Sequence, residues 1–195
     1  MTEPVSLDLA KMHLRVIDVA EDALILSYVQ AAREWVEHRT GHILVPRTVT
    51  QVFDHFPTWR TYNGLTNQMY RLTGSFLELN FQPVVSVAGI AYTDMAGIAR
   101  TLTDYTMTMG RAPFRLYQSQ MSGWPITLPN SGVVVTYAAG YVPGEEPKAL
   151  IQAMILLVGH WFENRESVTI DMRGIPTEIP LGVESLCDNF RQVGL

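Results

Sequence analysis

The sequence is poor in cysteine, lysine and charge of either sign, and each scarcity excludes a class of protein. Cys187 is the single cysteine, so an internal disulfide and a cysteine-rich zinc site are both excluded and a reducing compartment fits best. The net charge is −5, and among the 14 Lys and Arg residues only Lys11 and Lys148 are lysines. Sequence-independent binding of nucleic acid needs clustered cations, so tight DNA binding is not expected.

Charged residues make up 17% of the chain, against roughly 25% in an average soluble domain. A surface short of charge suggests that another protein covers part of it, which favours a subunit of an assembly. The longest apolar run, residues 149–162, contains Gln152, Gly159 and His160 and is too short to span a bilayer. The N-terminal MTEPVSLDLAKMH is polar and does not have the pattern of a signal peptide. We therefore expect a soluble protein without a membrane partner.

The first 45 residues have a helical pattern. Ser6 is placed to cap a helix over LDLAKMHLRV, and Asp8 lies in its first turn, where the helix dipole favours an anion. Asp18, Glu21 and Asp22 open a second helix, and its apolar residues recur at steps of three and four. Arg39 falls in the last turn and Gly41 is the expected left-handed stop.

The period changes to two at Pro46, which indicates strands. TVTQVFDHF, SFLELNF and VVSVAGIAY are typical of half-buried strands, and TDMAG predicts a turn before a return strand, IARTLTDYTM. MSGWPITLPNSG reads as an irregular loop, and SGVVVTYAAGY closes this β-rich middle with a further strand.

A helical pattern returns at residue 147. Pro147 suits a first helical position, and Glu145 and Glu146 lie at the positive end of the dipole. Two adjacent apolar stripes make this helix almost wholly buried, and a loop over 167–180 and a short helix over 181–191 follow. The fold class predicted is α+β: a helical bundle formed by residues 1–45 and 142–195, with an antiparallel β-domain inserted at residues 46–141.

HWFENRESV, at the end of the long helix, has the composition of a metal site. His160 and Glu163 share a helix face, so a metal-dependent hydrolase is one alternative. Such a centre needs three protein ligands, and no second histidine lies within a turn. We expect instead that the helix leaves the core at His160, with polar residues facing water or a partner.

No other cluster forms a credible catalytic site. His38 and His42 stand four residues apart near Glu34 and Glu37, but Gly41 ends the helix between them and spoils a shared metal geometry. Helix capping explains Glu145 and Glu146, and Cys187 reads as a small buried thiol. Phosphate-binding glycine motifs and a G-x-S-x-G elbow are absent. No catalytic residue, metal ligand or cofactor is predicted.

Aromatic residues of the β-domain suggest another alternative, a binding module. Trp59, Tyr62 and Trp124 could present a surface to a carbohydrate or to a host. Trp124, in the sequence GWP, could equally anchor an interface or plug the end of the β-domain.

Two long strings resemble one known family. VSLDLAKMHLRV followed by EDALILSYVQAAREWVEHRTGHIL resembles the start of the head–tail connector (adaptor) proteins of tailed bacteriophages, a group that includes prophage and gene-transfer-agent members. SGWPITLPNSGVVVTYAAGYVPGEEPKALIQAMILLVGHWFENRESV resembles their C-terminal part. Residues 51–121 match only in pattern, and the segments TNQMYRLTG and DMRGIPTEIP depart from the family.

This resemblance implies a virion protein without enzymatic activity, made in the bacterial host cytoplasm. It implies a homo-oligomeric ring, twelve-fold in symmetry, beneath the portal in the neck of the particle. The ring would extend the DNA channel, let DNA pass without specific binding, and join the head to a neck or tail-completion protein. Ring or portal contacts are expected from Trp124, Glu163, Arg165, Glu166, Asp171, Met172 and Arg173. Core anchors are expected at Trp35, Trp161 and Phe162.

Overall fold

The computed structural model describes residues 3–57, 60–63, 68–71, 76–108, 114–119, 123–164 and 180–191. Its helices are α1 (Leu7–Leu14), α2 (Asp22–Thr40), α3 (Lys148–Glu163) and α4 (Leu181–Asp188). Its strands are β1 (Arg47–Phe53), β2 (Arg60–Asn63), β3 (Gln68–Arg71), β4 (Phe76–Leu79), β5 (Val84–Thr93), β6 (Ala99–Leu102), β7 (Tyr105–Met107), β8 (Phe114–Gln118) and β9 (Val133–Ala139). The predicted α+β class is confirmed: helices come from both chain ends, and the strands between them pair in antiparallel fashion.

The chain divides into two compact units. One comprises residues Met1–Pro46 and Gly140–Leu195, and the other Arg47–Ala139. We call them the helical unit and the β-unit.

The helical unit is built around α3. Its buried side chains pack with the apolar stripe of α2, together with Ala10 of α1 and Val183 and Cys187 of α4. The ends of the first two helices follow the sequence signals: the Ser6 hydroxyl accepts a hydrogen bond from the Leu9 N–H at 3.2 Å, and Gly41 stops α2 with φ 74°. Apolar periodicity and end signals together explain the elements of this unit.

The β-unit contains a four-stranded sheet in the order β1-β9-β5-β6, a three-stranded sheet in the order β4-β8-β7, and the pair β2-β3. One face of the four-stranded sheet is buried, with Val133, Val135 and Tyr137 alternating along β9. Gln51 joins this face to the segment after β4, since its side-chain oxygen accepts from the Tyr137 hydroxyl at 3.2 Å and from the Asn80 N–H at 3.0 Å.

The return strand predicted after TDMAG is divided in two. Residues 99–102 form β6 beside β5, whereas residues 105–107 form β7 beside β8. Strand β8, which was not predicted from the sequence, pairs with β7 in the second sheet. The predicted loop over 167–180 lies, except for Pro180, outside the described residues.

Candidate interaction surfaces

His160 and Glu163 lie at the end of α3. The Asn164 side-chain nitrogen donates to the His160 carbonyl oxygen at 2.8 Å and lies 3.3 Å from its ring Nδ1, so Asn164 closes the last helical turn. Within the described ranges, no group of three or more His, Cys, Asp or Glu side chains could hold a metal ion. The same part of the chain contains no helix that is both long and apolar enough to cross a bilayer.

His42 is held in an aromatic setting inside the helical unit. Its ring stacks on Tyr141, with centroids 5.9 Å apart, and meets Phe190 edge-on at 5.6 Å. A hydrogen bond of 2.7 Å joins its Nδ1 to the Tyr141 hydroxyl. Burial lowers the pKa of His42 and raises the pKa of Tyr141. His42 is therefore a packing residue whose burial favours the neutral ring, and His38, four positions earlier, is exposed.

The depressed pKa of His42 predicts a pH dependence of stability. The stability that His42 contributes to the folded protein is fully present above the unfolded-state pKa of about 6.5. It is lost as the pH falls through the lower folded-state pKa, because the unfolded chain binds the proton more readily than the folded chain does. We expect the melting temperature of the wild-type protein to fall further between pH 8 and pH 5 than that of the His42→Gln variant. His38→Gln is the matched control and should follow wild type. Equal losses in wild type and His42→Gln would contradict the assignment.

Glu37 has a structural role that the sequence reading missed. Its carboxylate is buried and accepts hydrogen bonds from the backbone N–H of Leu44 at 2.7 Å and of Val45 at 3.3 Å. Arg33 donates to its other oxygen at 3.2 Å and to Glu3 at 2.9 Å. Glu37 thus fixes the segment after α2. The position of Glu37 one helical turn after Arg33 indicates the ion pair in the sequence, but it does not indicate the hydrogen bonds to the backbone.

Trp124 lies inside the β-unit. Its side chain is 3% exposed and stacks on Phe56 with ring centroids 5.0 Å apart; Tyr92 meets Phe56 edge-on. This buried position favours the hypothesis that Trp124 plugs the end of the β-domain over the hypothesis that it anchors an interface. It also means that Trp124 does not belong to an exposed aromatic surface, which a binding module would need. Trp59 and the side chain of Tyr62 lie outside the described residues.

The three expected core anchors, Trp35, Trp161 and Phe162, all pack against the core of the helical unit while remaining partly exposed. Trp161 lies against Tyr28, with ring centroids 6.4 Å apart. Glu163 is exposed. The other residues expected at ring or portal contacts lie outside the described residues: Arg165, Glu166, Asp171, Met172 and Arg173.

An exposed apolar surface surrounds the turn between α1 and α2. Ile17 is 94% exposed, and Met12 and Val19 are each 75% exposed. Lys11 fixes this turn, because its ammonium donates to the Asp18 carbonyl oxygen at 3.0 Å and forms an ion pair with Asp22. We call Met12, Ile17 and Val19 the loop patch. Apolar side chains held out from the surface in this way are typical of protein–protein contacts.

The four-stranded sheet presents an uncharged surface. Because side chains alternate along a strand, residues one position away from the buried set share the opposite face. These are Thr48, Thr50 and Val52 of β1, Val134, Thr136 and Ala138 of β9, Ser86, Gly89, Ala91 and Thr93 of β5, and Ala99 and Thr101 of β6. We call this set the threonine face. It carries no charged residue, and its β1 members are exposed.

Five of the described cations form ion pairs within their own unit. Lysine and arginine side chains form ion pairs in both units: Lys11 with Asp22, Arg33 with Glu3 and Glu37, Arg39 with Glu184 and Asp188, Arg100 with Asp94, and Arg115 with Glu78. Paired cations release few counterions from DNA phosphates, which weakens these five side chains as contacts for nucleic acid.

A known protein family matches the resemblance to head–tail connector proteins that the sequence indicates. Residues 4–73 match the family model described as phage gp6-like head–tail connector protein, which confirms the predicted resemblance over that part of the chain. No curated protein matches significantly.

The fold as a whole recurs in solved structures. A chain in the neck of an empty GTA particle computed with C6 symmetry is 24% identical, with a TM-score of 0.71, over 100% of this chain and 94% of that chain. One in the neck of a native GTA particle computed with C12 symmetry is 22% identical, with a TM-score of 0.68, over the same shares. One in the virion of a native gene transfer agent particle is 23% identical, with a TM-score of 0.67, over 98% and 91%.

Proposed function

We propose that this chain, which has a phage gp6-like head–tail connector domain at residues 4–73 and over its full length the fold of a gene-transfer-agent neck protein, is a structural head–tail connector. It forms part of the neck of a phage-like particle and has no enzymatic activity. The whole-chain correspondence to a neck component is the observation that carries the proposal.

The proposed assembly is a homo-oligomeric ring. Related chains occur in necks computed with C6 and C12 symmetry, and a twelve-fold ring beneath a portal suits both symmetries, since twelve is divisible by six. The threonine face, which carries no charged residue, suits a contact with a neighbouring subunit.

The proposed ring surrounds a channel through which DNA passes. A channel wall must not hold phosphate, because each retained contact would slow the passage of the duplex. The net charge of −5 and the paired cations, among them Arg39 and Arg100, support this role.

Residues at and after the end of α3 are proposed to make ring or portal contacts. Glu163 is exposed at the end of this helix, and Arg165, Glu166, Asp171, Met172 and Arg173 follow it. If these residues form contacts, replacing Arg165 and Glu166 together by alanine should reduce the yield of infectious or transducing particles. An unchanged yield would remove them from the interface.

Counting the copies bound to a portal tests the proposed function. Purified chain would be incubated with DNA-filled, tailless heads and, separately, with isolated portal rings. About twelve copies per portal are expected, the number given by the C12 symmetry of the related neck. Free DNA serves as a control and should bind no protein at physiological salt. Failure to bind both heads and portal rings would overturn the proposal.

A further inference from the structure

The four-stranded sheet of the β-unit ends in two edge strands. In the order β1-β9-β5-β6, β1 and β6 each have a neighbouring strand on one side only among the residues that the structure describes. The outer side of such a strand presents a row of backbone N–H and C=O groups that have no partner in the sheet. Another β-strand can satisfy these groups along the whole edge, so an edge strand selects a partner in extended conformation.

Strand β1 lacks the features that usually protect an edge. Soluble proteins prevent unwanted pairing with lysine, proline, a bulge or a very short strand at the edge. Strand β1 is seven residues long, and its register with β9 runs without a shift along the whole strand. Between its first and last residues it contains only Thr, Val and Gln, and three of these side chains are exposed: Thr48, Thr50 and Val52. Strand β1 is therefore a regular and accessible edge.

The two edge strands run in opposite directions. Each neighbouring pair in the sheet is antiparallel, so the fourth strand, β6, points opposite to the first strand, β1. If an identical sheet is placed beside this one in the same orientation, β6 of one copy lies antiparallel to β1 of the next copy. The alternation of strand directions then continues from one sheet into the other, with the hydrogen-bond pattern of an antiparallel ladder.

We propose that neighbouring subunits of the ring join edge to edge, with β6 of one copy pairing with β1 of the next copy. The inference rests on the proposed ring and assigns one of its contacts. A two-fold dimer would use one edge twice and close after two copies, whereas the pairing of two unlike edges repeats from copy to copy, as a closed ring requires. The threonine face continues across the contact, so that Thr101 of one copy lies on the same face as Thr50 of its neighbour.

Charge favours a second copy of this chain as the occupant of the edge. Each copy carries a net charge of −5, so neighbouring copies repel wherever their acidic surfaces meet. Neither edge strand contains an acidic residue. In β6 the single charged residue is Arg100, and its Nε donates to the Asp94 carboxylate of the same chain at 2.9 Å. Two copies can therefore approach through these edges without bringing carboxylates on the two strands together.

The length of β6 limits the strength of the contact. Strand β6 has four residues, so the ladder between two copies is short, and each of its hydrogen bonds replaces bonds that water makes to the free edges. Free copies are therefore expected to stay apart. The pairing becomes effective when a portal holds neighbouring copies side by side at high local concentration.

Hydrogen exchange measures this pairing at the backbone. Wild-type protein bound to heads would be compared with free protein by mass spectrometry. We expect the outward-facing amides of residues 48–52 and 99–102 to exchange about tenfold more slowly in the bound protein, because each edge gains a hydrogen-bonded neighbour. Strand β9 is the internal control, since it already has a neighbour on both sides, and its exchange should not change. Unchanged exchange at both edges would overturn the proposal.

Disulfide cross-linking tests which edges meet. Thr101→Cys would be combined with one cysteine on the exposed side of β1, bound to heads and oxidised. Three partners on β1 are available: Thr48→Cys, Thr50→Cys and Val52→Cys. Residues that face each other across an antiparallel pair have Cβ atoms about 4.5–5.5 Å apart, and diagonal neighbours are further apart. One combination should therefore give linked oligomers in much higher yield than the other two.

Single variants are the matched controls for cross-linking. Cys187 is fully buried, and burial raises the pKa of its thiol to about 11, so the native cysteine should not react. Thr101→Cys alone and Thr50→Cys alone should stay monomeric after oxidation. Dimers of Thr50→Cys alone would show a two-fold contact through β1 and would overturn the pairing of unlike edges. Absence of linked copies in all three combinations would overturn it as well.

These results separate edge pairing from the connector function. If wild-type protein fills the portal while neither edge gains protection from exchange, edge pairing is overturned and the connector function stands. If wild-type protein binds neither heads nor portal rings, the connector function fails and edge pairing fails with it.

Discussion

Replacing Gly140 by alanine should destabilise the protein by at least about 3 kcal/mol. Gly140 follows β9 with φ 133°, a conformation that side chains disfavour. A Cβ built there would lie 2.5 Å from the Pro46 Cα and 2.8 Å from its nitrogen. Both contacts are with backbone atoms, so no rotamer change can relieve them. For a chain of this length, thermal unfolding should shift down by roughly 6–12 °C.

Gly144→Ala is the matched control. Gly144 also has positive φ, 94°, but its added Cβ would meet nothing within 4 Å. Only backbone strain remains, which costs about 1–2 kcal/mol. If the two variants melted at the same temperature, the close approach to Pro46 would not determine stability. Differential scanning calorimetry of both proteins at one pH measures the difference directly.

Gly41 and Gly140 show which glycine roles are predictable. Gly41 follows the last periodic residues of a helix, so its left-handed conformation was predicted from its neighbours and is confirmed by φ 74°. The constraint on Gly140 comes from Pro46, a residue distant in sequence. No local pattern around AAGY indicates it, because the approach exists only after β1 and β9 have paired.

The two candidate surfaces were predictable to different degrees. The alternation in TVTQVFDHF already placed Thr48, Thr50 and Val52 on one side of a strand. That their neighbours are also uncharged depends on sheet order, which puts β9 beside both β1 and β5. The exposure of Ile17 could not be predicted, because the sequence IDVAEDAL contains apolar residues both in the turn and on the helix. The structure shows that Val16, not Ile17, packs against the core.

The burial of Glu37 could not be predicted from the sequence. It stands among Glu34, His38 and Arg39 near a helix end, where polar residues usually face water. In the structure it is buried, because the chain after Gly41 turns back and presents the Leu44 and Val45 N–H groups to its carboxylate. Helix periodicity describes which residues share a face, but the path of the following segment decides which of them that segment covers.

The burial of Glu37 leads to the second large effect. Glu37→Ala should cost about 2–4 kcal/mol, because two backbone donors lose an acceptor and Arg33 loses one of its partners. Arg33 keeps its hydrogen bond to Glu3 at 2.9 Å, which limits the loss. Glu37→Gln should be intermediate, at about 1–2 kcal/mol: its amide oxygen can still accept from Leu44, but its NH2 group faces the Arg33 donors. Urea unfolding of the three proteins would measure these differences.

Glu34→Ala separates burial from simple loss of charge. Glu34 also contacts Arg33, at 3.6 Å, but its side chain is 72% exposed. An exposed ion pair contributes little because water solvates both charges, so Glu34→Ala should stay within about 0.5 kcal/mol of wild type. Equal effects of the two alanine substitutions would mean that charge at this helix end matters and the backbone hydrogen bonds do not. The expected order is instead Glu37→Ala, then Glu37→Gln, then Glu34→Ala, because the loss follows the number of buried donors that each substitution leaves without an acceptor.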